Sequence, residues 1–198
     1  EAIACNFAAK GYALCVVNTG GDHGDLTDDY AAIRKEMEAV AAHFGKHVLR
    51  EVELETVESH VGELRRACGD RAVLRALHYY DENARVLEQA AAIRGGDLPA
   101  FFDAVKRSGD SSWKLLQNVY ARSTEEQMAM GIELSRRFLH GDGAQRVHGG
   151  GFAGTIQAYV PLDRLDDYKK LMEDAFGPGS CTALMVRPEG AVMMPMEG

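Results

Sequence analysis

The sequence predicts an α+β domain with a mainly antiparallel sheet packed with a helical block. Three observations predict it: helical apolar spacing dominates the middle of the chain, an apolar strand stands near its start at Tyr12, and the last third alternates strand, Gly-rich loop, strand, helix and further strands. Residues 1–198 contain no internal repeat, linker or low-complexity tract, so one domain is the expected count.

The elements follow in order. Tyr12 to Val17 reads as the first strand, ending at Asn18, and the loop Gly20-Gly21-Asp22-His23-Gly24 leads to Thr27, a candidate N-cap. Tyr30, Ile33, Met37, Val40 and Phe44 then recur at helical spacing, and Gly45 ends that helix. Glu55 to Ala67 reads as one helix. Asp70 to Arg94 reads as a longer one, with Val73, Leu77, Tyr80, Ala84, Leu87 and Ala91 as its core stripe. Gly95-Gly96-Asp97 punctuates the chain before a helix with Pro99 in its first turn and Leu98, Phe101, Phe102 and Val105 on its apolar side. A further helix is expected from near Asp110, carrying Trp113, Leu116 and Val119, and Ser123 with Glu126 reads as a capping box for a helix through Met128, Ile132 and Phe138. Asp163 is read as the cap of a helix containing Leu165, Tyr168, Leu171 and Ala175. Strands at Cys181 to Val186 and Ala191 to Met194 close the pattern.

Composition narrows the function. With 22 Lys and Arg against 30 Asp and Glu, the net charge is −8, which argues against nucleic acid and anionic lipid as partners and favours a small molecule. Apolar residues make up 46%, enough for a sizeable core. Cys5, Cys15, Cys68 and Cys181 are widely spaced and form no metal motif, as expected of reduced thiols in a cytoplasmic protein; Cys15 and Cys181 read as core residues. No run approaches the ~20 apolar residues that span a bilayer.

The run Gly149, Gly150, Gly151, Phe152, Ala153, Gly154, preceded by His148 and followed by the apolar segment Ile156 to Val160, carries the most chemistry. Ordering so many glycines is entropically costly, and close approach of backbone to a ligand is one reason for it. A tight hairpin turn is the plainer reading, but such a turn needs one or two glycines, and three in succession with a Phe to wedge them favour amides converging on an anion such as phosphate. Tyr30 lies at the loop end of the first long helix, where spacing alone reads as a core aromatic. His43 and His47 are separated by a helix-breaking glycine and lack a third ligand, so no zinc site is expected. Asp22, Asp25, Asp28 and Asp29 are read as solvated helix-start acids rather than a Mg²⁺ site.

Several of these segments together resemble the galactokinase family of GHMP small-molecule kinases. Gly149 to Gly154 resembles that superfamily's third motif; Val16-Val17-Asn18-Thr19-Gly20-Gly21 with Asp29-Tyr30 and Arg34 resembles the part that presents a Tyr to the sugar; Ser108-Gly109-Asp110-Ser111-Ser112 with Leu115-Leu116-Gln117-Asn118 resembles the segment before the third motif. His148 and Ala153 depart from the usual small hydroxyl residue and Gly. The resemblance runs almost end to end but lacks the family's sugar-recognition segment, its phosphate loop and its catalytic Asp. It therefore implies the C-terminal domain of a galactokinase-like enzyme over residues 1–198, with no catalytic residue in this chain and no activity for it alone. Tyr30 is implied to hold galactose, and the backbone of Gly149, Gly150, Gly151, Phe152, Ala153 and Gly154 to shape the phosphate site of ATP. Mg²⁺ is implied to be bound mainly by the missing N-terminal half. His148 is read either as an anion donor or as packing over the sheet. An apolar patch near the first strand and the Gly loop, and self-association through it, are expected of the isolated chain. Two alternatives stand beside this: a GHMP kinase for another sugar or small alcohol, and a non-catalytic α+β module that binds a small anion.

Overall fold

Alternation of side chains along Tyr12–Asn18 (β1) buries Ala13, Cys15 and Val17 on one face and leaves Tyr12 and Leu14 on the other. The computed structural model describes residues 3–21, 26–152 and 154–185. In it β1 lies at the centre of a four-stranded antiparallel sheet with Ala144–Val147 (β2), Thr155–Pro161 (β3) and Cys181–Leu184 (β4), in the order β2-β3-β1-β4. Register is set by Cys15 opposite Ala158, Val17 opposite Ile156 and again Val17 opposite Cys181. Seven α-helices stand among the described residues, besides shorter 3-10 and π-helical turns: Thr27–His43 (α1), Leu54–Ser59 (α2), Val61–Cys68 (α3), Asp70–Gly95 (α4), Leu98–Ser111 (α5), Gln127–Leu139 (α6) and Leu165–Phe176 (α7).

Both faces of the sheet are covered, which is why its strands carry apolar residues on each side. Cys15, Val17, Ile156, Ala158, Val160 and Cys181 meet Met128, Ile132 and Leu139 of α6 and Tyr168 and Met172 of α7. Tyr12, Leu14 and Tyr159 face Phe101, Phe102 and Val105 of α5 and Ala92 near the end of α4. A second core lies among α1, α2, α3 and the first half of α4, around Val40, Val57, Leu64 and Ala76. Gly109 of α5 has no room for a side chain, because an added Cβ would sit 3.0 Å from Arg146 Cβ and 3.2 Å from the Gln145 carbonyl of β2.

The α+β class and the antiparallel sheet agree with the sequence, and several boundaries do not. Glu55 to Ala67 is broken at His60 into α2 and α3. Thr27 is the first residue of α1 and makes no cap; Leu26 takes that position, and Asp28 and Asp29 lie in the first turn. The Ser123–Glu126 box does not form, since α6 begins at Gln127 without a side-chain cap. Asp163 lies in a single 3-10 turn, Leu162–Arg164, ahead of α7. No new helix starts near Asp110: α5 runs straight into a π-helical turn, Ser112–Leu116, closed by Gln117 N–H donating to Ser112 O and by Gln117 in the left-handed region at φ 58°. The stripe assigned to α4 holds for Val73 but not for Ala84, Leu87 and Ala91, and Leu87 is 71% exposed. The expected strand Ala191 to Met194, and Asp22, Asp25 and Ala153, lie outside the described residues.

Ile156 is fully buried between α6 and β1. Ile156→Ala is expected to lower stability by about 2–5 kcal/mol in urea denaturation through lost burial and the void left behind. A loss below about 1 kcal/mol would mean that the neighbouring helices close the gap.

Candidate functional site

The Gly loop joins β2 to β3, and three separate parts of the chain hold it. Thr19, at the end of β1, donates from its N–H to the Gly154 carbonyl at 2.7 Å and from its hydroxyl to the same oxygen at 3.0 Å. Asn118, just past the π-helical turn, donates from Nδ2 to the Gly150 carbonyl at 3.0 Å, and its main-chain oxygen accepts the Phe152 N–H at 2.5 Å. Tyr30, in the first turn of α1, donates its hydroxyl to the Gly151 carbonyl at 2.6 Å. Burial raises the pKa of the Tyr30 phenol, so the donor proton is retained at neutral pH.

Phe152 wedges the loop as its sequence position implied. It is buried against Leu26, Tyr30, Ile33 and Ala121, and its ring meets that of Tyr30 edge to face, with centroids 5.2 Å apart. Gly151 sits at φ +80°, and a Cβ there would overlap the Asn118 main-chain oxygen, so both conformation and space demand glycine. The Phe152 N–H is committed to Asn118. Among the described residues, no acceptor takes the N–H of Gly149, Gly150 or Gly151. The structure thus brings Tyr30 and the glycines together at one end of the sheet. His148 lies exposed at the rim, with Nδ1 2.9 Å from Gln157 Oε1.

Sequence reading missed the polar scaffold behind this loop. Arg75, almost wholly buried, donates from Nη1 to Glu36 at 2.8 Å and from Nε to the Leu116 carbonyl at 3.0 Å, fixing the turn that delivers Asn118. A cleft of about 320 Å³ lies alongside, lined among others by Asp29, Arg75, Trp113, Gln117 and Phe152. Deeper in, Glu82 accepts from the Ser108 hydroxyl and from Arg85 Nε at 2.9 Å, while Arg146 of β2 donates to Ser108 Oγ at 2.5 Å and reaches Glu82 at 3.3 Å. His78 Nδ1 lies 2.9 Å from Ser111 Oγ, and burial lowers its pKa, favouring the neutral ring. A signal for this existed in the sequence: Arg75, His78, Glu82 and Arg85 are spaced three, four and three apart, a polar stripe with the same period as a core stripe. Among the described residues, no three His, Cys, Asp or Glu side chains stand together as metal ligands. No helix of the described residues is long and apolar enough to cross a membrane.

Comparison with known proteins gives a consistent result. A galactokinase of Mannheimia succiniciproducens is 30% identical over 164 residues, covering 83% of this chain and 41% of its own length. A galactokinase of Haemophilus influenzae strain Rd is 31% identical over the same shares, so the chain spans about two fifths of the relatives it matches. The crystal structure of Lactococcus lactis galactokinase complexed with galactose superposes with a TM-score of 0.68 over 88% of this chain and 44% of that one, at 17% identity, a likeness of fold. No family model matches the chain.

Two outcomes follow from the geometry. Burial works against the Glu82 carboxylate, but hydrogen bonds from Ser108 and Arg85 and the Arg146 and Arg85 charges outweigh it and hold the group below its ordinary value. The stabilisation is therefore complete above the unfolded value of about 4.3 and is lost as pH falls through the folded value. Glu82→Gln is expected to cost about 1–3 kcal/mol at pH 7 and to flatten the acid limb below pH ~4.3 in denaturation followed by circular dichroism; an unchanged limb would remove Glu82 from the acid response. Gly151→Ala is expected to cost about 1–3 kcal/mol from backbone strain alone, and stability equal to the parent in the same measurement would mean that the loop can leave the left-handed conformation at this position without cost.

Proposed function

The chain is a member of the galactokinase family, and from that premise we propose that it is the C-terminal domain, residues 1–198, of an ATP-dependent kinase that phosphorylates galactose at its anomeric hydroxyl. The observation that carries the proposal is the meeting of Tyr30 with the glycine run, the hydroxyl 2.6 Å from the Gly151 carbonyl. A phenol beside main-chain donors that have no acceptor among the described residues is an arrangement suited to phosphoryl transfer, which depends on positioning and on neutralising charge.

Each group has a role under this reading. The N–H groups of Gly149, Gly150 and Gly151 face the phosphoryl oxygens, where fixed donors stabilise charge without reorganising. Phe152 and Gly154 hold the loop's shape through Asn118 and Thr19, and Ala153 is small enough to leave it intact. Tyr30 has given its proton to Gly151, so toward the sugar its oxygen acts as an acceptor for a galactose hydroxyl. His148, at the rim, belongs to the outer phosphate environment. By the likeness to that family, Mg²⁺ and the base are assigned to the remainder of the full-length enzyme, while the glycines of this chain shape the phosphate site of ATP. The 198-residue chain alone is then inactive.

The test is direct. Full-length enzyme incubated with galactose and ATP is expected to form galactose 1-phosphate; its absence overturns the assignment, and formation by the 198-residue chain alone overturns the placement of the base outside it. Tyr30→Phe in the full-length enzyme is expected to raise KM for galactose about tenfold, the loss of one hydrogen bond to the sugar, with KM for ATP changing much less. An unchanged sugar KM would take Tyr30 out of the sugar site.

A further inference from the structure

We propose that Asn118 is the positioning residue of the Gly loop, the group that orients two successive peptide planes so that Gly151 offers its N–H to a bound phosphoryl group. The inference rests on the proposed phosphate role of the loop, but its geometry stands independently.

Asn118 is 3% exposed and touches the loop twice, through Nδ2 on the Gly150 carbonyl and through its own carbonyl on the Phe152 N–H. Every peptide bond in the described residues is trans, and in a trans peptide C=O and N–H point in opposite directions. Because the Gly150 carbonyl is drawn toward Asn118, the Gly151 N–H of the same plane is turned away from it. Because the Phe152 N–H is drawn toward Asn118, the Gly151 carbonyl is turned away as well, and there the Tyr30 hydroxyl meets it. One residue therefore sets both planes, and Gly151 presents its donor away from the clamp. Gly151 is itself buried, and its N–H has no acceptor among the described residues. An amide held in this orientation is available to an acceptor from outside the chain.

The choice of Asn is informative. Its Oδ1 is buried without a hydrogen-bond partner among the described residues, a cost that an apolar side chain of similar shape would avoid. What Leu lacks is the Nδ2 donor to Gly150. The approach of Asn118 is in turn fixed by Arg75, whose guanidinium holds the Leu116 carbonyl two residues earlier.

The experiment uses the full-length protein with Asn118→Leu and Asn118→Ala, the latter removing the donor without adding charge or bulk to a buried site. Hydrogen exchange of the amides from 148 to 155 is expected to speed up about tenfold or more in both variants as the loop opens. The thermal midpoint of Asn118→Leu is expected to stay within about 4 °C of the parent, because the unpaired Oδ1 leaves together with the lost contact. In assays with galactose and ATP, kcat is expected to fall about tenfold with the galactose KM changed less than about twofold, the pattern of a contact felt in the transition state. Unchanged exchange in both variants overturns the proposal, as does a loss of kcat accompanied by an equal rise in both KM values and a collapse of the midpoint, the pattern of general unfolding. Should Asn118→Leu fail to fold, Asn118→Ala decides by the same readouts. If the parent enzyme phosphorylates no sugar while loop exchange still rises in the variants, the galactokinase reading fails and the positioning role stands.

Discussion

The half-buried Glu82 carboxylate, held between Ser108, Arg85 and Arg146, ties the helical layer to the sheet. Apolar contact alone brings α5 onto β2 and β3, but such contact is non-directional and permits sliding. The charged cluster removes that freedom, because its hydrogen bonds are directional and breaking them leaves a half-buried charge without compensation. Arg146 stands two residues before His148, so the cluster also anchors the strand from which the Gly loop departs. With Arg146 fixed from below and Thr19 holding Gly154 from the side of β1, both ends of the loop are pinned before any ligand is present.

Between those ends the loop is held by its carbonyls. Gly150, Gly151 and Gly154 each direct an oxygen into the protein, toward Asn118, Tyr30 and Thr19. These three side chains come from positions far apart in the chain, and each lies at the end of a rigid element: the close of β1, the first turn of α1 and the exit of the π-helical turn. Rigid ends make precise donors, and a glycine run held in this way gives up the flexibility for which glycine is usually chosen.

Much of this was legible in the sequence, and what was not has a physical cause. The apolar runs Tyr12 to Val17 and Ile156 to Val160 announced two strands and the glycines from 149 to 154 announced the loop between strands, because these signals are local, whereas the meeting of Tyr30 with Gly151 spans 121 positions and was implied only by the family resemblance. Local capping rules were less reliable: Ser123 with Glu126 and Thr27 fit the pattern, yet the helices start elsewhere without side-chain caps, where tertiary packing sets the boundary. The inward face of α4 was misread for a related reason. Apolar spacing identified Leu87 as core, but Glu82 turns inward because Ser108 of α5 and Arg146 of β2 supply it with partners, Arg85 follows as its counter-ion, and Leu87 is left in solvent. A stripe of buried polar residues cannot be told from a solvated one until the partner element is known. Asn118 and Arg75 were missed because their roles exist only across long sequence separations.

The wide turn at Ser112–Leu116 has an evolutionary consequence. Its i to i+5 hydrogen bond accommodates one residue more than an α-helical turn spans, and Asn118 follows directly. Removing a single residue here would swing everything after it by about 100° around the helix axis, carrying the carboxamide off the glycines. Descendants of this sequence can exchange side chains along the segment, but they cannot gain or lose a residue in it without dismantling the loop that it supports.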